Sequence, residues 1–211
     1  MSHSTLRQQL IDTALAINRY GINQGTSGNL SVRVPGGFLV TPSAIPYENC
    51  RPEDIVHMDL EGRWQGERKP SSEWRFHRDI YRSRGDAQAV LHAHPPWCTT
   101  LACLGREIPP FHYMVAVAGG TNIRCAPYAT FGTQKLSDLA LAALADRKAC
   151  LLANHGMLCL EEDLQQALSL AIEVENLARV YAQALQIGEP ALLNQEEMVR
   201  IAEKFRVYRQ R

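Results

Sequence analysis

Val90-Leu91-His92-Ala93-His94-Pro95-Pro96 constrains the fold of this chain more tightly than any other stretch. A short apolar run of this kind reads as a buried strand, and two consecutive prolines stop it. Successive strand side chains point to opposite faces, so His92 and His94 point the same way and bring two imidazoles together near the strand's carboxyl edge. Sites in sheet proteins collect at such edges. A third histidine, His155, lies in a separate apolar run, Leu151-Leu152-Ala153-Asn154-His155-Gly156. Three imidazoles drawn to one point make the nitrogen set of a catalytic zinc centre, which keeps one coordination position open. Each histidine alone also reads as a hydrogen-bonded core residue, so the metal reading rests on the three together.

The rest of the chain alternates helix and strand signals. Leu6, Leu10, Ala14 and Ile17 recur at helical spacing and Gly21 stops them. Leu30 to Val34 alternates, Pro35-Gly36-Gly37 turns, and Phe38 to Thr41 runs apolar, which predicts a hairpin. Ile55 to Leu60 is a further strand, closed by Glu61-Gly62. A helix is predicted from Ser71-Ser72-Glu73 to about Arg84, with serine as its cap. A short helix follows the prolines to about Gly105, then an extended stretch passes through Phe111-His112-Tyr113. Thr133 caps a helix, and Cys150 to Ala153 and Met157 to Leu160 are short strands around His155. Asp163 opens the longest helix, ended by Gly188 and Pro190. A last one starts at Asn194, with Glu197 placed as in a capping box, and should bury Met198, Ile201, Ala202 and Phe205. This order predicts a central, largely antiparallel sheet with helices on both sides.

Composition sets the class. At 211 residues and 45% hydrophobic content the chain fits one compact domain spanning 1–211, long enough to bury roughly 70% of its unfolded surface. Its 22 basic and 22 acidic residues cancel without long blocks of one sign, which argues against a nucleic-acid or anionic-membrane surface. The six cysteines form no Cys-x-x-Cys pair, and neither a signal core nor a membrane-length apolar run is present. A reducing cytoplasm is expected.

Three more features bear on chemistry. Gly25-Thr26-Ser27-Gly28-Asn29 is a small-residue loop with exposed amides and hydroxyls, or a plain connection. Ser71-Ser72 stands at a helix start, where free N–H groups and the helix dipole stabilise an anion, although taken alone it reads first as ordinary capping. Glu73 beside it reads as a solvated first-turn acid, or as a fourth metal ligand or general base. His77, four residues on, ranks below the other histidines as a ligand because three already fill a zinc site.

Taken in order, Gly25-Thr26-Ser27-Gly28-Asn29, Thr41-Pro42-Ser43-Ala44, Pro70-Ser71-Ser72-Glu73, His92-Ala93-His94, His112-Tyr113-Met114, Ala126-Pro127-Tyr128-Ala129-Thr130-Phe131-Gly132-Thr133 and Asn154-His155-Gly156 resemble the landmarks of the class II sugar-phosphate aldolases, nearest to their L-fuculose-1-phosphate branch. The resemblance covers almost the whole chain. It implies a three-layer α/β/α sandwich, assembled as a homotetramer with active sites between subunits. It further implies Zn2+ on His92, His94 and His155, with Glu73 near the metal as acid/base. Gly28, Asn29, Ser43, Ser71 and Ser72 would hold the substrate phosphate, and Tyr113 would reach in from a neighbouring subunit.

The implied reaction is reversible cleavage of a ketose 1-phosphate such as L-fuculose 1-phosphate to dihydroxyacetone phosphate and an aldehyde such as lactaldehyde. Aldolases of 5-deoxy- or 5-methylthio-ribulose 1-phosphate would share the same site. A sugar-phosphate 4-epimerase or dehydratase fits Glu73 less well, and a non-catalytic adducin-like module fits the histidines less well. Two departures from the branch stand out. Its Thr-Pro-Thr-Gly is Thr41-Pro42-Ser43-Ala44 here, which keeps a hydroxyl but adds a methyl, and the tail Tyr208-Arg209-Gln210-Arg211 differs. The aldehyde side is therefore the part the residues specify least.

Overall fold

The computed structural model describes residues 3–209. Seven strands form one sheet in the order β3-β2-β1-β4-β7-β6-β5. They are β1 (Asn29–Val34), β2 (Gly37–Val40), β3 (Val56–Asp59), β4 (Ala89–Ala93), β5 (Cys125–Ala126), β6 (Ala149–Leu152) and β7 (Gly156–Glu161). All neighbours run antiparallel except β5 and β6. Among the described residues six α-helices surround the sheet: α1 (His3–Arg19), α2 (Trp74–Ser83), α3 (Pro96–Cys103), α4 (Gln134–Ala143), α5 (Leu164–Ile187) and α6 (Gln195–Arg209). None is long and apolar enough to cross a membrane, among the described residues.

Strand alternation divides the interior into two cores and produces the three-layer sandwich. Leu30 and Val32 of β1, Leu91 and Ala93 of β4, and Met157 and Cys159 of β7 face a core shared with α1, α3 and α5. Phe38, Val90, Leu158 and Leu160 face a second core built with Phe76 and Ile80 of α2 and Leu136 and Ala140 of α4. Burying each such Leu, Ile or Phe side chain contributes about 1.5–3 kcal/mol. His92 alternates with Leu91 and Ala93, so it lies on the α2 face of the sheet beside Asn29, its partner across the β1–β4 ladder.

Several expected signals hold. Asp163 and Thr133 accept hydrogen bonds from the backbone N–H groups of Gln166 and Leu136, and thereby cap α5 and α4. Asn194 accepts from Glu197 N at 2.9 Å, but the Glu197 carboxylate turns to Arg200, so only half of the capping box forms.

Other expectations are corrected. The hairpin turn is Pro35-Gly36 alone, because Gly37 pairs with Val34 inside β2. His94 lies one residue past the end of β4. Tyr113 opens a 3-10 helix, Tyr113–Ala118, instead of continuing an extended stretch, because the preceding His112 ring accepts from Met114 N and tightens the chain. Ala202 is exposed, since α6 packs chiefly through Met198 and Ile201, with Phe205 only half-buried. Gln210 and Arg211 lie outside the described residues, as do the side chains of Tyr208 and Arg209.

Candidate metal centre and active site

Four donor atoms, one each from Glu73, His92, His94 and His155, lie within 4.8 Å of one another. They come from three places in the fold: the end of β4, the turn into β7 and the start of α2. His92 Nε2 and His94 Nε2 are 2.9 Å apart, as same-face spacing requires. His155 arrives on a tight β6–β7 connection in which Asn154 takes φ 54, a left-handed conformation that asparagine tolerates. The following Gly156 is demanded by packing, because a Cβ there would sit 2.4 Å from the Ala93 carbonyl oxygen and 2.8 Å from the His94 ring.

The donors are oriented from behind. His92 Nδ1–H donates to the Met157 carbonyl at 2.9 Å, which leaves the Nε2 lone pair facing the cluster. Asn23, a residue the sequence reading did not single out, accepts from His94 N at 3.3 Å and from the Ser27 hydroxyl at 3.1 Å, tying the glycine-containing loop to the cluster. Burial, followed by charge on neighbouring histidines, holds His94 at about 3 and His155 at about 4, so both are neutral at pH 7.

Glu73 occupies the N-cap position of α2 yet makes no capping bond. The expected serine cap is also absent at that position: Ser71 Oγ accepts from Glu73 N at 3.3 Å, within the turn that precedes the helix. The Glu73 carboxylate is drawn inward instead. Its Oε2 lies 3.1 Å from His92 Nε2 and accepts from Asn29 Nδ2 at 3.0 Å; its Oε1 lies 3.2 Å from His155 Nε2 but makes no hydrogen bond. Burial pushes this carboxyl up, but the imidazoles of His92 and His155 and the Asn29 amide outweigh it and bring it down to about 2. A buried, ionised oxygen with no hydrogen bond among the described residues, facing three imidazoles, fits a divalent cation.

The segments expected to hold an anion are joined by backbone bonds. Thr41 N donates to Leu30 O, Ser71 N to Thr41 O and Ser43 N to Lys69 O, each at 3.0 Å, which sets Gly28-Asn29, Thr41-Pro42-Ser43 and Ser71-Ser72 side by side. Ser43 and Ser72 are exposed, whereas Gly28, Asn29 and Ser71 are buried. A Cβ on Gly28 would lie 2.7 Å from the His92 carbonyl oxygen, and the Gly28 carbonyl accepts from the Tyr47 hydroxyl. Ala44 adopts φ 60, a conformation that costs an alanine roughly 1 kcal/mol relative to glycine.

His77 is fully buried and stands outside the four-donor cluster, against Asn29 and Ser31. Asn29 and Ser31 are two apart on one strand face, a spacing that offered a sequence signal for this arrangement. Tyr113 is exposed, on a segment that packs on α5 and α6, with its ring against His112 and Phe205. Phe131 is also exposed, and its loop touches the start of α2: Arg75 donates to the Gly132 carbonyl at 2.6 Å, and a Cβ on Gly132 would lie 2.9 Å from the Ser72 carbonyl oxygen.

Comparison with known proteins matches residues 8–182 to the family described as Class II Aldolase and Adducin N-terminal domain. A 5-methylthioribulose-1-phosphate/5-deoxyribulose-1-phosphate aldolase of Rhodospirillum rubrum is 56% identical over 98% of this chain and 94% of its own length. An L-fuculose phosphate aldolase of Escherichia coli (strain K12) is 49% identical over 99% of this chain and 97% of its own length. A solved structure of an L-fuculose 1-phosphate aldolase superposes with a TM-score of 0.94 at 42% identity, covering 98% of this chain and 100% of that one. With its sheet order, its three-histidine and glutamate cluster and these relatives, the chain belongs to the class II aldolase and adducin N-terminal domain family.

Proposed function

We propose that the protein is a zinc-dependent aldolase that reversibly cleaves a ketose 1-phosphate to dihydroxyacetone phosphate and an aldehyde. The observation that carries this reading is Glu73, whose buried Oε1 has no hydrogen bond among the described residues and lies beside three imidazoles. Three imidazoles with a carboxylate suit zinc, which when bound supplies a Lewis acid for the ketone and the adjacent hydroxyl. An interaction module would have no use for a buried ionised carboxylate at that position.

The chain's own residues divide the remaining work. Gly28, Asn29, Ser43, Ser71 and Ser72 hold the phosphate at the start of α2, where N–H groups and the helix dipole favour an anion. Tyr113 of a neighbouring copy takes the proton from the C4 hydroxyl as the C3–C4 bond breaks; C4 becomes the aldehyde carbon and the electron pair stays with C3. Glu73 delivers a proton to C3, and in the condensation direction removes it. Shared use of Tyr113 implies a homotetramer with active sites between subunits, in keeping with the exposure of that ring. Six cysteines free of disulfides suit a reducing cytoplasm.

For the aldehyde half, the relative at 56% identity favours 5-methylthio- or 5-deoxy-ribulose 1-phosphate, and the relative at 49% favours L-fuculose 1-phosphate. A panel of these ketoses, assayed for dihydroxyacetone phosphate release by the zinc-loaded protein, ranks them by kcat/KM. Release from at least one is expected. No release from any, with zinc bound, overturns the aldolase reading.

A further inference from the structure

A chain of hydrogen bonds runs from Glu73 through Asn29 into the second core, where it passes through His77, Ser31 and Tyr81, which none of the roles above uses. Asn29 Oδ1 meets His77 Nε2 at 2.6 Å, His77 Nδ1 meets Ser31 Oγ at 2.6 Å, and Ser31 Oγ meets Tyr81 Oη at 2.8 Å. Asn29, Ser31, His77 and Tyr81 are all buried, so water does not compete for these bonds. Only one assignment of donors satisfies the chain. The ionised Glu73 Oε2 accepts only, so Asn29 must turn its NH2 toward it and its carbonyl oxygen toward His77. That oxygen also accepts only, so His77 must carry its proton on Nε2. The bare Nδ1 then accepts from the Ser31 hydroxyl, and the Ser31 oxygen accepts from the Tyr81 phenol.

The protonation states agree with this order. Burial, with His92 nearby, holds His77 at about 3, so the ring is neutral and has one donor and one acceptor. Burial pushes the Tyr81 phenol up, which keeps it a donor.

We infer that His77 is a positioning residue which, through Asn29, tethers Oε2 of Glu73 and thereby fixes the orientation of its carboxylate. Without His77 the Asn29 amide is free to rotate, and an amide turned over would set its carbonyl oxygen against the carboxylate. This inference rests on Glu73 being the acid/base.

The first test needs no variant and no turnover: 15N–1H correlation of the imidazoles in the intact protein. The Nε2–H tautomer of His77 is expected, and the Nδ1–H tautomer overturns the inference. The second test compares proton exchange at C3 of dihydroxyacetone phosphate in zinc-loaded wild type, His77→Leu and His77→Gln. His77→Leu should lower kcat for exchange about 10–100-fold, as loss of an orienting partner does, with bound zinc unchanged. His77→Gln, whose amide can still donate to Asn29, should restore most of it. Wild-type exchange in His77→Leu overturns the inference, and so does an equal loss in both variants. If His77→Leu does not fold, the tautomer and the His77→Gln rate still decide. Exchange at the wild-type rate in Glu73→Gln would instead remove the acid/base reading while leaving the tautomer result standing.

Discussion

Around Glu73 the side chains of Asn29, His77 and His92 are buried, with Asn29 hydrogen-bonded to both Glu73 and His77, while Phe131, on the loop that touches the start of α2, is 65% exposed. The inner region is built from strand faces and a helix start, elements that hold a side chain to one rotamer. The rim is carried by a loop. The difference separates two tasks: bond cleavage needs donors fixed in position, and choice of aldehyde needs a surface that can vary without disturbing them. Relatives at 56% and 49% identity that act on different ketose phosphates fit this division.

The division can be broken by substitution. Glu73→Gln should lower C3 proton exchange and cleavage about 10²–10⁴-fold, the usual contribution of a general acid/base, while zinc analysis still finds the metal on three histidines. Ser72→Ala, at the edge between the regions, should raise KM for the ketose 1-phosphate roughly tenfold, the loss expected for one hydrogen bond to a charged group, with kcat less affected. Phe131→Ala should act least, altering the ranking of ketoses by about tenfold or less in kcat/KM and leaving C3 exchange of dihydroxyacetone phosphate at its wild-type rate. If Phe131→Ala slowed exchange as much as Glu73→Gln, the two regions would not be separate.

Much of the interior was legible because it obeys short-range rules. The period of a strand brings His92 and His94 together, and Asp163 and Thr133 cap helices as their side chains dictate. Strand β5 was not legible, since its two residues carry no periodicity and exist as a strand only through pairing with β6. The start of α2 was misread for a related reason. A serine cap is the local preference, but the pull of His92 and Asn29 on Glu73 comes from strands distant in sequence and wins. His77 resembled a spare ligand at four-residue spacing from Glu73, and only the packing of α2 on β1 gives it Asn29 and Ser31 as partners.

By itself the sequence determined which residue types could make a metal centre, where strands and helices run, and that the sheet is covered on both faces. These follow from backbone sterics and from the burial of alternating or helical apolar stripes, which act within a few residues. Only the tertiary structure decided that Glu73 turns inward, that Gly156 and Gly28 must lack a side chain, and that Asn29 joins the carboxylate to a buried histidine. Those outcomes depend on which atoms approach within about 3 Å across the β1–β4–β7 ladder and under α2, and a hydrogen bond or a clash at that range outweighs local preference.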